Sequence, residues 1–225
     1  MKHILVTGGN GFLGKSICSI ASRNGIHAVS ISRHGRPKHM APDDYSLVQW
    51  VKADIFNPVE WKPYLKDCIA VIHCIGIAEE IPDRGITYEH MIYESAKIVA
   101  ITAKANNVHK LVYISAGAPP PEASEGYMNN KIAAEKFLRS PELDFDLTIL
   151  KPGMLYGLER PETIEENKEI QKLLQDPVIR KEIWPNRPLP VETVARVALY
   201  SAMHTLDAAD LYVDDIEHLS KKINL

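Results

Sequence analysis

The sequence is poor in the residues that would commit it to metal, disulfide, nucleic-acid or membrane chemistry. It holds only three cysteines, Cys18, Cys68 and Cys74, in 225 residues. An odd count with no metal-ligand spacing excludes a disulfide framework and fits a reducing compartment. The nine histidines form no His-x-x-x-His pair, so no metal site is expected. Positive charge is not in excess: 26 Lys and Arg stand against 29 Asp and Glu, a net charge of -3. That balance argues against a nucleic-acid partner, whose binders are usually basic. No run approaches the roughly 18 apolar residues of a membrane span, so no transmembrane segment is expected. Repeats and low-complexity tracts are missing as well. The first strand pattern starts almost at Met1, and a cleavable targeting peptide is not expected. The 45% apolar and 24% charged content is that of an ordinary globular chain. The expectation is one domain over 1–225, with residues 153–225 contributing a small substrate or partner lobe.

Against these absences stands one dense signal. Residues 2–7 are a short apolar run ending in Thr7, and glycines follow at Gly8, Gly11 and Gly14. Residues 11–24 then read as a helix stopped by Asn24-Gly25. A strand, a tight glycine turn and a helix N-terminus together form a pyrophosphate cradle. Gly8 permits the turn, Gly11 admits the phosphates to the backbone, and Gly14 lets the helix pack close. Thr7, Asn10, Phe12 and Leu13 complete the stretch. The rival reading is an ordinary βα turn, but the strand–turn–helix–strand context is the one a dinucleotide site requires.

The chain continues in the same rhythm. Residues 27–32 form the second strand, and its end carries Ser32-Arg33 in place of an acidic residue, with Arg36 and Lys38 close behind. A carboxylate there would bind an unmodified ribose, whereas a guanidinium can fork onto a 2′-phosphate. The cofactor expected is therefore NADP, with NAD less favoured; the alternative is a solvated basic loop. Residues 42–47 look like a loop and 48–53 a strand. It closes at Asp54-Ile55, the place for an adenine-edge contact or for a cap on the following turn. Residues 69–73 form a buried parallel strand that runs into Cys74 and Gly76, beside the cofactor's ribose and pyrophosphate. Cys74 reads better as a small buried residue than as a nucleophile. Residues 87–106 are helical, 110–115 a strand, 125–139 a helix and 147–150 a strand ending in Lys151-Pro152-Gly153. Beyond these, 163–175 and 191–204 read as helices, 184–190 as a loop and 211–213 as a last strand. Strands alternating with helices imply an α/β fold with a doubly wound parallel sheet.

Tyr127 and Lys131 lie at i, i+4 and so share one face of a helix. A tyrosine becomes a useful acid–base group when a neighbouring cation lowers its pKa. Lys131 is expected to do this and to hold the nicotinamide ribose. The bland alternative is an amphipathic Tyr and a surface Lys.

These segments resemble the short-chain dehydrogenase/reductases of the extended or atypical kind. The resemblance rests on Thr7-Gly8-Gly9-Asn10-Gly11-Phe12-Leu13-Gly14, Asp54-Ile55, Tyr127 with Lys131, and the Lys151-Pro152-Gly153 turn. Pro190-Val191-Glu192-Thr193-Val194-Ala195 adds to it by likeness to the family's late Val-x-Asp-Val-Ala segment. More narrowly, Val29-Ser30-Ile31-Ser32-Arg33 and Ala53-Asp54-Ile55-Phe56 resemble one branch. It contains the NADPH-holding accessory subunit of respiratory complex I and a fungal mitochondrial subunit of the coenzyme Q biosynthesis complex. The resemblance implies a Rossmann-like fold and a mitochondrial, matrix-side location, with a cytoplasmic one as the alternative. Active members place a Ser or Thr just after the fifth strand to hold the substrate oxygen. Here Ser115-Ala116-Gly117 puts Ala116 or Gly117 at that place and Ser115 one or two positions early. The helical Asn of active members is also not evident near Ile92 and Tyr93.

Two readings follow. In the first, the chain reduces a quinone-like or isoprenoid precursor of ubiquinone with NADPH. Tyr127 is then the acid, Lys131 its partner, and Ser115 or a water polarises the carbonyl. In the second, the chain is a nucleotide-holding assembly or regulatory subunit of a multi-subunit mitochondrial complex. Nucleotide-sugar epimerisation ranks third, because the lobe is small for such a substrate.

Overall fold

The computed structural model describes residues 1–37 and 42–225. Strand β1 (His3–Thr7) leads into helix α1 (Phe12–Arg23), β2 (Ala28–Ser32), β3 (Val48–Lys52), the single-turn α2 (Pro58–Trp61) and β4 (Cys68–His73). A π-helical turn at Glu89–Glu94 runs into α3 (Ser95–Ala105), followed by β5 (Lys110–Ile114), α4 (Gly126–Leu138) and β6 (Asp146–Leu150). The rest comprises β7 (Leu155–Tyr156), α5 (Pro161–Leu173), α6 (Pro177–Ile183), β8 (Leu189–Pro190), α7 (Val191–Met203), β9 (Asp210–Leu211) and α8 (Val213–Lys222). Seven strands form one sheet in the order β3-β2-β1-β4-β5-β6-β9, every neighbouring pair parallel. Strands β7 and β8 pair separately.

Period-two alternation divides the central strands between two cores. Ile4 and Val6, Ala70 and Ile72, and Val112 and Ile114 face α1, α7 and α8. Leu5, Val71, Leu111 and Tyr113 face α3 and α4 on the other side. Burial of each large apolar side chain contributes about 1.5–3 kcal/mol. A sheet covered on both faces leaves only its strand ends open, so loops at the carboxyl ends of the strands are where a ligand can sit.

Several elements differ from the sequence expectation for local reasons. The presumed loop at 42–47 contains a 3-10 turn, Pro42–Tyr45. The presumed strand at 211–213 ends at Leu211, because Asp215 accepts a hydrogen bond from the Tyr212 amide at 3.0 Å and starts α8 there. Asp176 caps α6 through the Val178 and Ile179 amides, a helix the periodicity did not reveal. Helices α7 and α8 pack into the core beside α1, and β9 extends the main sheet. Much of 153–225 is thus built into the main body. Among the described residues no helix is long and apolar enough to cross a membrane.

The tightest joint is at the start of α1. A Cβ on Gly14 would overlap the Gly8 carbonyl oxygen and come within 2.6 Å of Gly9 Cα. Both obstacles are backbone and cannot swing aside. Gly14→Ala should therefore destabilise the fold by about 1–3 kcal/mol, read as a lowered urea midpoint with unchanged m-value. An unaltered midpoint would contradict this packing.

Candidate functional site

Gly8 takes φ +75°, and its amide donates to Ile31 O at 2.9 Å. Gly11 donates to Gly8 O and stands as the N-cap of α1 without a side-chain cap. The first amides of α1 are therefore left to face a ligand, with the positive end of the helix dipole behind them. In front of them lies a cavity of about 440 Å³, within the range of small-molecule sites. Of the residues expected to hold a cofactor, Gly8, Asn10, Gly11, Ser32, Arg33, Asp54, Ile55, Cys74 and Gly76 all line it.

The far end of the cavity is shaped by a turn. Gly35 N donates to Ser32 O at 3.3 Å, while Asn10 Nδ2 and Ser32 Oγ both donate to Gly35 O, at 3.1 and 3.2 Å. The glycine-turn asparagine thereby fixes the turn that carries Arg33. Asp54 accepts from the Phe56 amide at 3.0 Å, so it serves the capping alternative while also lining the cavity. Phe56 and His90 stack with ring centres 3.7 Å apart at the same end, a pair that sequence spacing does not reveal. Lys38 lies outside the described residues.

Thr7, Phe12, Leu13 and Gly14, also expected to hold the cofactor, are not among the residues that line the cavity. Leu13 is core, and Phe12 lies under Arg160, 5.1 Å from ring centre to guanidinium. Buried Thr7 Oγ1 meets His73 Nδ1 at 2.7 Å, and His73 Nε2 meets Ser95 Oγ at 3.2 Å. Ser95 already donates to Met91 O at 2.7 Å, so it accepts from His73 Nε2–H. Thr7 then donates to the bare Nδ1. Burial pushes this imidazole down to about 3, which keeps it neutral. Cys74 is likewise inert: burial drives its thiol well above the ordinary range, against any nucleophilic role.

Tyr127 and Lys131 come together as their spacing requires. Lys131 is 4% exposed and donates to Ile114 O at 2.8 Å. Its Nζ lies 3.6 Å from where a Cβ on Gly76 would be, and 5.2 and 5.8 Å from the ring centres of Tyr113 and Tyr127. The expected pKa coupling takes another form. Burial, with Tyr88 second, pushes Tyr127 up to about 12, and burial pulls Lys131 down to about 8. At neutral pH Tyr127 is therefore a protonated donor, and Lys131 is the group that titrates nearer neutrality.

Two expected site residues are spent elsewhere. Ser115 Oγ donates to Glu135, and Lys151 pairs with the same carboxylate at 2.6 Å. Lys151 Nζ also lies 5.3 Å from the Tyr212 ring centre. Pro152 O accepts the Gly117 amide at 2.9 Å, and Gly153 packs against the 184–187 turn. Glu135, 7% exposed, ties the ends of β5 and β6 to α4. Its signal was present in the sequence: 127, 131 and 135 repeat every four residues on one helix face.

With this geometry in hand, the chain can be set beside known proteins. Residues 4–218 match the model of the NAD dependent epimerase/dehydratase family. The chain belongs to that family. It has the extended short-chain dehydrogenase/reductase fold. A chloroplastic protein of Arabidopsis thaliana, itself uncharacterised, is 35% identical over 169 residues, 73% of this chain and 54% of the relative. MIOREX complex component 2 of Saccharomyces cerevisiae is 30% identical over 207 residues, 71% of this chain and 75% of the relative. The chain thus spans little more than half of the plant relative. In structure, the Bordetella bronchiseptica enzyme WbmH, solved in complex with NAD+, superposes with a TM-score of 0.68 at 18% identity. The match covers 98% of this chain and 79% of that one.

Lys131 gives this family member a pH signature. Below about 8 it is charged in folded and unfolded chains alike, and its burial is a constant cost. Between about 8 and the ordinary 10.5 only the unfolded chain keeps the proton, so stability rises with pH. Relative to Lys131→Met, the wild type should gain up to about 1.4 kcal/mol per pH unit across that window. Urea titrations of both proteins on either side of the window would show it, and parallel pH curves would refute it.

Proposed function

We propose that this chain is an NADP(H)-dependent reductase of a quinone-like or isoprenoid carbonyl compound. The observation that carries the reading is the approach of Lys131 Nζ to Gly76. It brings Lys131, on the Tyr127 face of α4, beside a residue that lines the dinucleotide cavity. The glycine cradle fits a dinucleotide, since a side chain at Gly8 or Gly14 would occupy the backbone space that forms it. Bound NADPH supplies a hydride. Tyr127 Oη would supply the proton, and Lys131 would hold the nicotinamide ribose and relay a replacement proton. A quinone that gains the hydride and the proton leaves as its hydroquinone, with NADP+ as the other product.

Arg33 supports NADP over NAD. It stands on the Asn10-anchored turn and lines the cavity, where a carboxylate would otherwise contact the ribose. Charge-assisted bonds to a 2′-phosphate contribute about 1.5–3 kcal/mol, a preference of roughly ten-fold or more. The walls around Tyr127 support an apolar substrate: Tyr88, Ile92 and Ala116 pack with it, flanked by Ile77, Ala123 and Met128. Kinship with a yeast MIOREX component and a chloroplastic plant protein supports an organellar location, mitochondrial in this proposal, and membership of a multi-subunit complex.

One observation favours the second reading, a nucleotide-holding assembly subunit. The Ser115 hydroxyl is engaged by Glu135 and Ala116 has none, so the two residues just after β5 offer no free side-chain hydroxyl to a substrate. In that role NADPH stabilises the fold by linkage.

The experiment is a single-turnover test. The NADPH-loaded protein is mixed with duroquinone and short isoprenoid quinones while the nicotinamide absorbance is followed. Rapid oxidation abolished by Tyr127→Phe is the expected result; retention of NADPH without oxidation would leave the assembly reading. In a companion titration, Arg33→Ala should weaken NADPH roughly ten-fold and spare NADH. Equal losses for both would remove the 2′-phosphate assignment.

A further inference from the structure

The polar contact missing after β5 has a counterpart contributed by a distant part of the chain. The turn at Trp184–Asn186 docks between the loops that follow β5 and β6. A Cβ on Gly117 would overlap Asn186 Oδ1 and stand 3.5 Å from its Cγ. A Cβ on Gly153 would stand 2.7 Å from the Asn186 carbonyl carbon and 2.8 Å from Arg187 O. Both glycines are therefore what admits this turn, and Asn186 fills the space that a side chain on residue 117 would take. Ala116, the residue before Gly117, packs in the Tyr127 cluster. The Asn186 carboxamide thus stands against the residue that follows Ala116, one position along the chain from the Tyr127 cluster.

The turn is held firmly. Arg187, 5% exposed, pairs with Asp214 at 2.7 Å and Glu217 at 2.6 Å. It donates to Trp184 O at 3.1 Å and lies 4.2 Å from the Trp184 ring centre. A buried arginine with two carboxylate partners leaves little freedom to the residue before it. With Oδ1 against Gly117, Nδ2 is the atom left to donate. Preorganised amide donors of this kind are effective where negative charge develops on an oxygen.

We propose that Asn186 is a catalytic residue of the reductase: its Nδ2 donates to the substrate carbonyl oxygen, replacing the hydroxyl absent from Ala116. The inference rests on the reductase reading and names the group that completes it. The step it serves is the one already balanced, in which the quinone gains a hydride from NADPH and a proton from Tyr127. Asn186 itself exchanges no proton. It steadies the oxygen as charge accumulates there.

The test uses the full chain and two readouts. In the first, NADPH oxidation by duroquinone is measured for wild type, Asn186→Ala and Asn186→Asp. Removal of one such donor lowers kcat about 10²–10³-fold. The NADPH dissociation constant and the melting temperature, which report the fold, should hold. Adding Ala116→Ser to Asn186→Ala should recover part of the lost rate. In the second, the Asn186 side-chain amide resonance is followed as duroquinone is added to NADP+-loaded protein, a dead-end pair that cannot react. The expected result is a shift that saturates with quinone. Oxidation that persists at full rate in both variants would overturn the proposal while leaving the reductase intact. A saturating shift without NADPH oxidation would instead keep Asn186 as the carbonyl contact and remove the reductase reading. No shift and no oxidation would remove both.

Discussion

The structure depends on how closely the first helix approaches the first strand. The contact between Gly14 and the Gly8 carbonyl sets the height of α1 over the sheet. That height brings Leu13, Ile17 and Ile20 into the core and leaves the leading amides of α1 over the cavity. A helix pushed outward by one methyl group would lose packing on one side and phosphate contacts on the other. Stability and nucleotide binding are therefore the same constraint at this point. The Asn10–Gly35 hydrogen bond extends it to the turn bearing Arg33, so that turn is referenced to the same glycine turn.

The two ends of the site are built in different ways. The Arg33 end of the cavity is made from the ends of β1, β2, β3 and β4. The Tyr127 end, where the proposal puts the reaction, is made from α4 and from loops that only meet because β5, β6 and β9 are neighbours. At the Tyr127 end one buried carboxylate gathers its partners: Glu135 joins Ser115, Lys151 and, at 3.9 Å, Arg139. The network fixes the positions of Ala116 and Pro152, and through them the slot that receives Asn186.

Legibility in the sequence followed the range of the interactions. The sheet was readable because each central strand is a short buried run between turn signals, and the glycine turn because its spacing is local. Tyr127 and Lys131 were readable as helical neighbours. What escaped were relations between elements far apart in the chain. Ser115 was expected to face a substrate, yet Glu135, twenty positions on, takes its hydroxyl. The pKa of Tyr127 was expected to fall with a cation one turn away, yet burial among Tyr88 and Ala116 outweighs it. Arg187 and Asn186 sat in what read as a plain loop, and no local pattern marks an arginine whose partners lie on α8. The turn of strand into helix at Tyr212 turned on one carboxylate, Asp215, which periodicity at 211–213 does not register.

The place of β9 bears on how the chain is assembled during synthesis. It joins the sheet beside β6 through two residues, Ile149 and Leu150 pairing with Asp210 and Leu211, after a delay of some sixty positions. Until the ribosome has delivered that segment, β6 is an open parallel edge carrying Leu147, Ile149 and Leu150. Unpaired apolar edges invite pairing with other chains. The Arg139–Asp210 ion pair at 2.6 Å offers the late strand an electrostatic guide to its place. The nascent protein thus has a window in which a chaperone or a co-translational partner has most to protect, and the window closes with two residues.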